Sequence, residues 1–189
     1  MSTPPSTPGT SGTSGTPGTP GTSGGAAGGS EVAALEAQEA ALVLPRFTYE
    51  DAWTLGTILA GLARERRAPV AIDVRRGAQQ LFHCALPGSS ADNDAWIDRK
   101  RRVVERYGVS SFLVGARFRA KGSSFELSSR LDPDRFAAHG GSFPLAVEGA
   151  GVIGAVTVSG LPQAEDHALV VLGLERLLSS FRSSGAAAG

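Results

Sequence analysis

The chain has 189 residues, 18 basic against 18 acidic side chains, and 41% hydrophobic residues. That length holds one compact domain with a tail left over, and zero net charge removes the electrostatic motive for a nucleic acid or an anionic membrane as partner. The lone cysteine, Cys84, excludes an internal disulfide and a cysteine-rich zinc site. It suits a reducing cytoplasm, where the protein is expected, since no run approaches the ~20 apolar residues of a membrane span and no secretory signal opens the chain.

Only Thr, Ser, Pro, Gly and Ala follow Met1 as far as Ser30. Nothing there offsets the conformational entropy of folding, so residues 1–30 are expected to form a disordered tail. Glycine recurs at every third residue from Gly9 to Gly24, with Pro or Ser before it. That period admits a short collagen-like segment, in which glycine lets three chains share an axis. A flexible linker of repetitive composition is the simpler reading.

Ordered structure is expected from Glu31. Residues 31–44 have helical composition, and Pro45 stops them. Thr48 caps a longer helix, 49 to about 66, with Glu50 and Asp51 in its first turn and Arg64, Arg66 and Arg67 at its end, as the helix dipole prefers. Ala52, Leu55, Leu59 and Leu62 give it one apolar face suited to covering a sheet. Val70, Ile72 and Val74 alternate with Ala71, Asp73 and Arg75, which predicts a half-buried strand; Gly77 marks a turn, and residues 81–86 return as its hairpin partner. Alternation puts His83 and Cys84 on opposite faces. His83 reads as a half-exposed strand residue and Cys84 as a small core residue.

Pro87-Gly88-Ser89-Ser90 breaks the chain before an amphipathic helix that begins near Asp92 and ends at Gly108. Trp96, Val103 and Tyr107 share one of its faces, with Ile97 and Val104 beside it. Residues 109–130 resist assignment. The stretch 110–118 reads as helix or strand, 125–127 looks strand-like, and Leu131-Asp132-Pro133-Asp134 looks like a helix entry. From His139 the pattern sharpens. Apolar runs 143–147 and 152–158 flank Glu148-Gly149-Ala150-Gly151, a hairpin with glycines where positive φ is needed. The second run is apolar at nearly every residue, as expected of a strand buried on both faces. Ser159-Gly160 ends it, and Pro162 opens a last helix to about residue 181, apolar along Val170, Leu174, Leu177 and Phe181. Residues 183–189 should fray. These elements sum to an α/β (α+β) domain over 31–182, an antiparallel sheet of about five strands flanked by helices.

No Ser-His-Asp spacing, nucleophile elbow, phosphate loop or metal-ligand run is present. In an antiparallel hairpin the entry to the first strand and the exit of the second lie at the same end. His139-Gly140-Gly141 should therefore meet Ser159-Gly160 and the start of the last helix, whose first turn adds Asp166 and His167. A small-molecule site is expected at that corner, because bare glycine backbone offers donors there. The same glycines also let the hairpin and the helix turn sharply, a purely structural use. Asp166 and His167 are neighbours on a helix and point about 100° apart, so a direct dyad between them is not expected.

The strings HGGSFPL, from His139, and GVIGAVTVSGLPQAEDH, ending at His167, resemble the haem-degrading-domain family that includes GlcG-like and HbpS-like proteins and the carboxy-terminal part of PduO-type proteins. They look closest to its uncharacterised subfamily with the pattern HGGsFP…VSGLPq.DH. The similarity continues through NDAWIDRKRRVVERYG, Asn93 to Gly108, and LFHCAL, residues 81–86, so it covers roughly residues 35–181. The resemblance implies a profilin-like α/β/α layering, a homo-oligomer, and haem or a related small molecule as ligand. The subfamily's N..W…K pattern matches Asn93, Trp96 and Lys100, which the resemblance places at a pocket. Imidazole is a common haem-iron ligand, which makes His139 and His167 candidates; a histidine bonded to a loop carbonyl is the plain alternative for His139. The functions compatible with this are a haem-binding or haem-degrading protein, a non-catalytic oligomeric scaffold or small-molecule sensor, and a corrinoid-related role through the PduO likeness.

Overall fold

The computed structural model describes the backbone of residues 23–186 and the side chains of 28–183. In chain order the elements are α1 (Ser23–Ala41), α2 (Tyr49–Glu65), β1 (Ala71–Arg76), β2 (Gln79–Ala85), α3 (Ala91–Tyr107), α4 (Ser111–Ala120), the one-turn α5 (Phe125–Ser128), β3 (Ser142–Val147), β4 (Gly151–Ser159) and α6 (Gln163–Ala186). The strands form one antiparallel sheet in the order β2-β1-β4-β3. Local signals place most of these elements. Thr48 and Asp51 close a capping box at the start of α2, and Gly108, in the left-handed conformation at φ 69°, ends α3.

The two faces of the sheet differ in kind. On one, Ile72, Val74, Phe82, Phe143, Leu145, Val156 and Val158 form a continuous apolar core with Leu55, Leu59 and Leu62 of α2 and Leu169, Leu174 and Leu177 of α6. The layers approach closely through glycine. A Cβ at Gly56 would lie 2.3 Å from the Phe82 ring, and one at Gly173 would lie 2.5 Å from Leu59. On the other face the register aligns His83, Asp73, Thr157 and Ser142 in one row across all four strands. Asp73, Thr157 and Ser142 are fully buried there, beneath α3, which packs on β1, β3 and β4. Buried polar groups need partners, and these have them. The Ser142 and Thr157 hydroxyls share a hydrogen bond of 2.8 Å, and the Asp73 carboxylate accepts from Arg75 Nε and Gln80 Nε2.

Among the described residues the sheet has four strands rather than about five, and the difference lies in residues 110–130. Ser110 Oγ accepts from the Leu113 N–H and Ser124 Oγ from the Leu127 N–H. Each serine thereby caps a helix, and the strand-like 125–127 closes into α5. Phe125 then buries itself with Val103, Val114 and Ala138 in a small separate cluster. The helix expected to start at 131–134 is a turn instead, in which the Asp132 carbonyl accepts from Arg135 and Phe136 and its side chain from the Asp134 N–H. β4 is buried only over its second half; Gly151 and Val152, at the hairpin tip, are exposed.

Of the tail expected over 1–30, residues 1–22, with the glycine repeat as far as Gly21, lie outside the described residues, while 23–30, Gly24 among them, belong to α1. α1 lies along α4 and is tied to it by the ion pairs Glu36–Arg117 (2.7 Å) and Glu31–Arg119 (2.8 Å). Beyond α1, Leu44 forms a bridge to Val147 at the free edge of β3. α6 runs past the expected end to Ala186, so of the expected frayed end residues 187–189 lie outside the described ones. Among the described residues no helix is long and apolar enough to cross a membrane.

Candidate functional site

Asp166 stands in the first turn of α6, where the unpaired N–H groups of the helix start favour a carboxylate. Its Oδ1 accepts from the Leu161 N–H at 3.0 Å and its Oδ2 from Lys100 Nζ at 2.7 Å. Lys100 reaches in from α3 and also donates to the Val158 carbonyl at 3.1 Å. Both side chains are almost completely buried, at 1% exposure for Asp166 and 3% for Lys100. Burial lowers the Lys100 proton affinity and raises that of Asp166, each opposed in part by the charge of the other. Gly141 makes room for the pair. It sits at φ +119°, and a Cβ there would lie 2.8 Å from Lys100 Nζ and 2.9 Å from Asp166 Cβ.

A cleft of about 210 Å³ opens above this ion pair, walled by Asp92, Asn93 and Trp96 of α3, by His139, by Ser159, Gly160 and Leu161, and by Gln163. The Asn93 carbonyl oxygen accepts from the Ser90 N–H at 2.7 Å, closing the capping box of α3. The Trp96 ring faces His139 at 5.3 Å and carries the Arg99 guanidinium 4.1 Å above it. His139 is half-exposed, with Nε2 3.5 Å from Glu126 Oε1. The loop that holds it is tied on three sides. Ser111 Oγ donates to the His139 carbonyl, the Gly140 N–H donates to Gln163 Oε1, and the Gly141 carbonyl accepts from the Val158 N–H at 2.8 Å.

Of the residues singled out from the sequence, Asn93, Trp96, Lys100, His139, Ser159, Gly160 and Asp166 thus surround one cleft. Gly140 and Gly141 stand behind its wall, against Gln163 and the ion pair. His167 turns away from it. Its Nε2 meets Gln38 Oε1 at 2.7 Å, and its ring lies against Phe112 (4.8 Å) and Phe143 (5.9 Å). Nδ1 is buried without a partner, and burial holds the imidazole neutral by lowering its pKa to about 4. Sequence reasoning missed Asp92, Leu161 and Gln163 in the cleft wall. Gln163 lies one helical turn before Asp166, a spacing that could have signalled it. Nothing local connects His167 to Gln38.

A second cleft of about 180 Å³ lies under α3 on the same polar face, lined by Asp73, Arg75, Gln80, His83, Asp94, Ile97 and Asp98. Its carboxylates have partners: Asp73 pairs with Arg75, Asp94 with His83 at 2.7 Å, and Asp98 with Arg101 and Arg102. Among the described residues no group of three or more His, Cys, Asp or Glu could hold a metal ion.

The main cleft does not fit a haem. At about 210 Å³ it is smaller than the roughly 300–1,000 Å³ typical of pockets for drug-sized ligands, and its floor is a charged pair rather than an apolar bed. Neither nitrogen of His167 is available to an iron. His139 alone of the two candidate histidines offers an accessible imidazole, and it stands at the rim.

Helices on both faces of an antiparallel sheet, with a polar cleft where strand β4 passes into α6, define the class of domain. The chain belongs to the family of haem-degrading proteins similar to HbpS, whose family model matches residues 47–175. It is 71% identical over 148 residues to a UPF0303 protein of Streptomyces avermitilis, an alignment covering 78% of this chain and 91% of that one. Among solved structures it is similar to the Ybr137w protein, with a TM-score of 0.73, 34% identity, and coverage of 79% of this chain and 88% of that one. The PduOC protein, solved as a haem complex, shares the fold at a TM-score of 0.58 and 15% identity, covering 68% of this chain and 93% of its own.

Proposed function

We propose that the domain binds a small polar molecule in the cleft above Lys100 and Asp166, as one subunit of a cytoplasmic homo-oligomer. The observation that carries this reading is an ion pair almost wholly withdrawn from solvent that nevertheless lines an open cleft. Burying two charges costs several kcal/mol per ion unless geometry and further hydrogen bonds offset it. A purely structural pair is expected to be sealed under packed side chains. Here Trp96, His139 and Gln163 stand around an opening, and a ligand displacing water there would meet strengthened electrostatics. Screening small polar compounds by amide chemical shifts tests the reading. Ligands should perturb Gly160, Leu161 and Gln163 and the Trp96 indole. A screen in which every hit maps away from these groups, or none binds, would overturn it.

A second reading places haem against the rim, outside the cleft, supported by the accessible His139 imidazole and, among its neighbours, by the haem complex of PduOC. Haemin titration of His139→Ala and His167→Ala separates it from the cleft reading. Haem ligation at the rim predicts a fall in affinity of about tenfold or more for His139→Ala alone, roughly 1.4 kcal/mol. An unchanged affinity removes haem from this site. For assembly, the exposed Tyr49 and Trp53 on α2 and the unpaired edge of β2 offer surface for self-association. Sedimentation that finds only monomer at micromolar concentration would refute that part of the proposal.

A further inference from the structure

Lys100 and Lys121 are the only lysines in the chain; the remaining basic residues that hold a fixed charge are arginines. Among the described residues, the ion pairs at Glu31, Glu36, Asp51, Asp73 and Asp98 all use arginine. Arginine matches a carboxylate in two-pronged fashion and does not give up its proton, whereas a lysine amine can be deprotonated and is then a nucleophile. Lysine stands instead in the Lys100–Asp166 pair, which is more buried than any of these and forms the floor of the cleft. Two acceptors, Asp166 Oδ2 and the Val158 carbonyl, occupy two of the ammonium's three donor positions.

We propose that Lys100 is a covalent attachment point for a small aldehyde, held as a protonated imine with Asp166 as its counter-ion. This rests on the cleft being a ligand site, and it names the ligand class. The Lys100 ammonium gives a proton to Asp166 Oδ2 along their 2.7 Å bond. The freed lone pair attacks the carbonyl carbon, a C–N bond forms, and the carbonyl π pair moves onto oxygen. A proton passes from that nitrogen to the oxygen, giving a neutral carbinolamine. Asp166 then returns its proton to the hydroxyl, which leaves as water while the nitrogen lone pair closes the C=N bond. One aldehyde enters, one water leaves, and nothing is oxidised or reduced. The product restores a cation beside the Asp166 carboxylate, so the buried charge balance is the same before and after. Burial favours the first step, since it lowers the proton affinity of Lys100 and raises that of Asp166. The cleft volume of about 210 Å³ restricts the aldehyde to a few carbons, and Asp92 at the wall disfavours an anionic one.

Glycolaldehyde with cyanoborohydride tests this on the full chain, because reduction fixes the imine as a stable hydroxyethyl amine. Peptide mapping should place the adduct on Lys100, forming about tenfold faster at pH 7 than on Lys121, which is exposed and lies outside the cleft. Lys100→Arg keeps the charge pair and should lose the fast adduct while Lys121 still labels. Labelling of Lys100 no faster than Lys121 overturns the covalent inference, and this comparison needs only the unaltered protein. If the amide-shift screen finds ligands in the cleft but Lys100 stays unlabelled, the imine fails and the binding site stands. If neither occurs, both fail.

Discussion

The two faces of the sheet are built from the same four strands and have opposite chemistry. The face under α2 and α6 is an unbroken apolar core, from Phe82 on the β2 edge to Phe143 and Leu145 on the β3 edge. The face under α3 carries the row His83, Asp73, Thr157 and Ser142, and both clefts line that side. Strand alternation explains how one set of strands supports both, because residues one apart in sequence belong to different environments. α6 repeats the lesson over a single step. Asp166 faces the cleft and Lys100, while His167 faces an aromatic pocket and Gln38. Stability is concentrated on the apolar side and candidate chemistry on the polar side.

That division is open to tests. Phe143→Ala on the apolar face should cost about 3–5 kcal/mol and lower Tm by roughly 10 °C in thermal denaturation. A loss under about 1 kcal/mol would mean that the apolar face is not where stability resides. Asp166→Ala on the polar face leaves the buried Lys100 charge alone. Its expected cost is about 3 kcal/mol, at the low end for a broken buried pair because cleft water can reach the ammonium. Replacing both partners, Lys100→Met with Asp166→Leu, should be nearly neutral in denaturant unfolding. A double variant as unstable as Asp166→Ala would show that the pair is needed for folding rather than tolerated.

The His167 pocket predicts a pH dependence. The folded-state pKa of about 4 lies below the ordinary 6.5, so the neutral form is favoured by folding. Between those values the unfolded chain binds the proton and the folded one does not, and stability is lost as pH falls from about 6.5 toward 4, by at most about 3 kcal/mol. His167→Gln should flatten that part of the stability curve. Equal curves for variant and parent would show that His167 is not held neutral. The smallest loss expected of a single substitution belongs to the hydroxyl pair. Ser142→Ala is expected to cost about 1 kcal/mol, the ordinary worth of one buried hydrogen bond, in denaturant unfolding.

Much of this architecture was legible before the structure. The capping box at Thr48, the apolar stripes of α2 and α6 and the glycine turn of the β3–β4 hairpin are local signals, and the elements follow them. Residues 110–130 were not legible, because two capping serines and a Phe125 that packs on α3 and α4 outweigh a weak strand propensity. The meeting of the His139 loop with the β4–α6 turn followed from hairpin geometry alone, and the Gly141–Val158 and Gly140–Gln163 hydrogen bonds lie at that junction. Lys100 and Asp166 were each singled out, but not as partners.

Local sequence sets which residues alternate along each strand, where helices start, and that glycine must stand at the corner where loop and helix meet. These depend on neighbours within a few positions, whose spacing, caps and φ preferences act locally. Which side chains share a proton or lose their water follows instead from long-range packing. Lys100 and Asp166 are 66 residues apart, and Gln38 and His167 are 129 apart. Their pairing depends on α3 lying across β4 and on α1 lying against α4. Burial of a charge, and therefore its proton affinity, is a property of everything packed around it, and that packing is complete only when the distant helices have closed over the sheet.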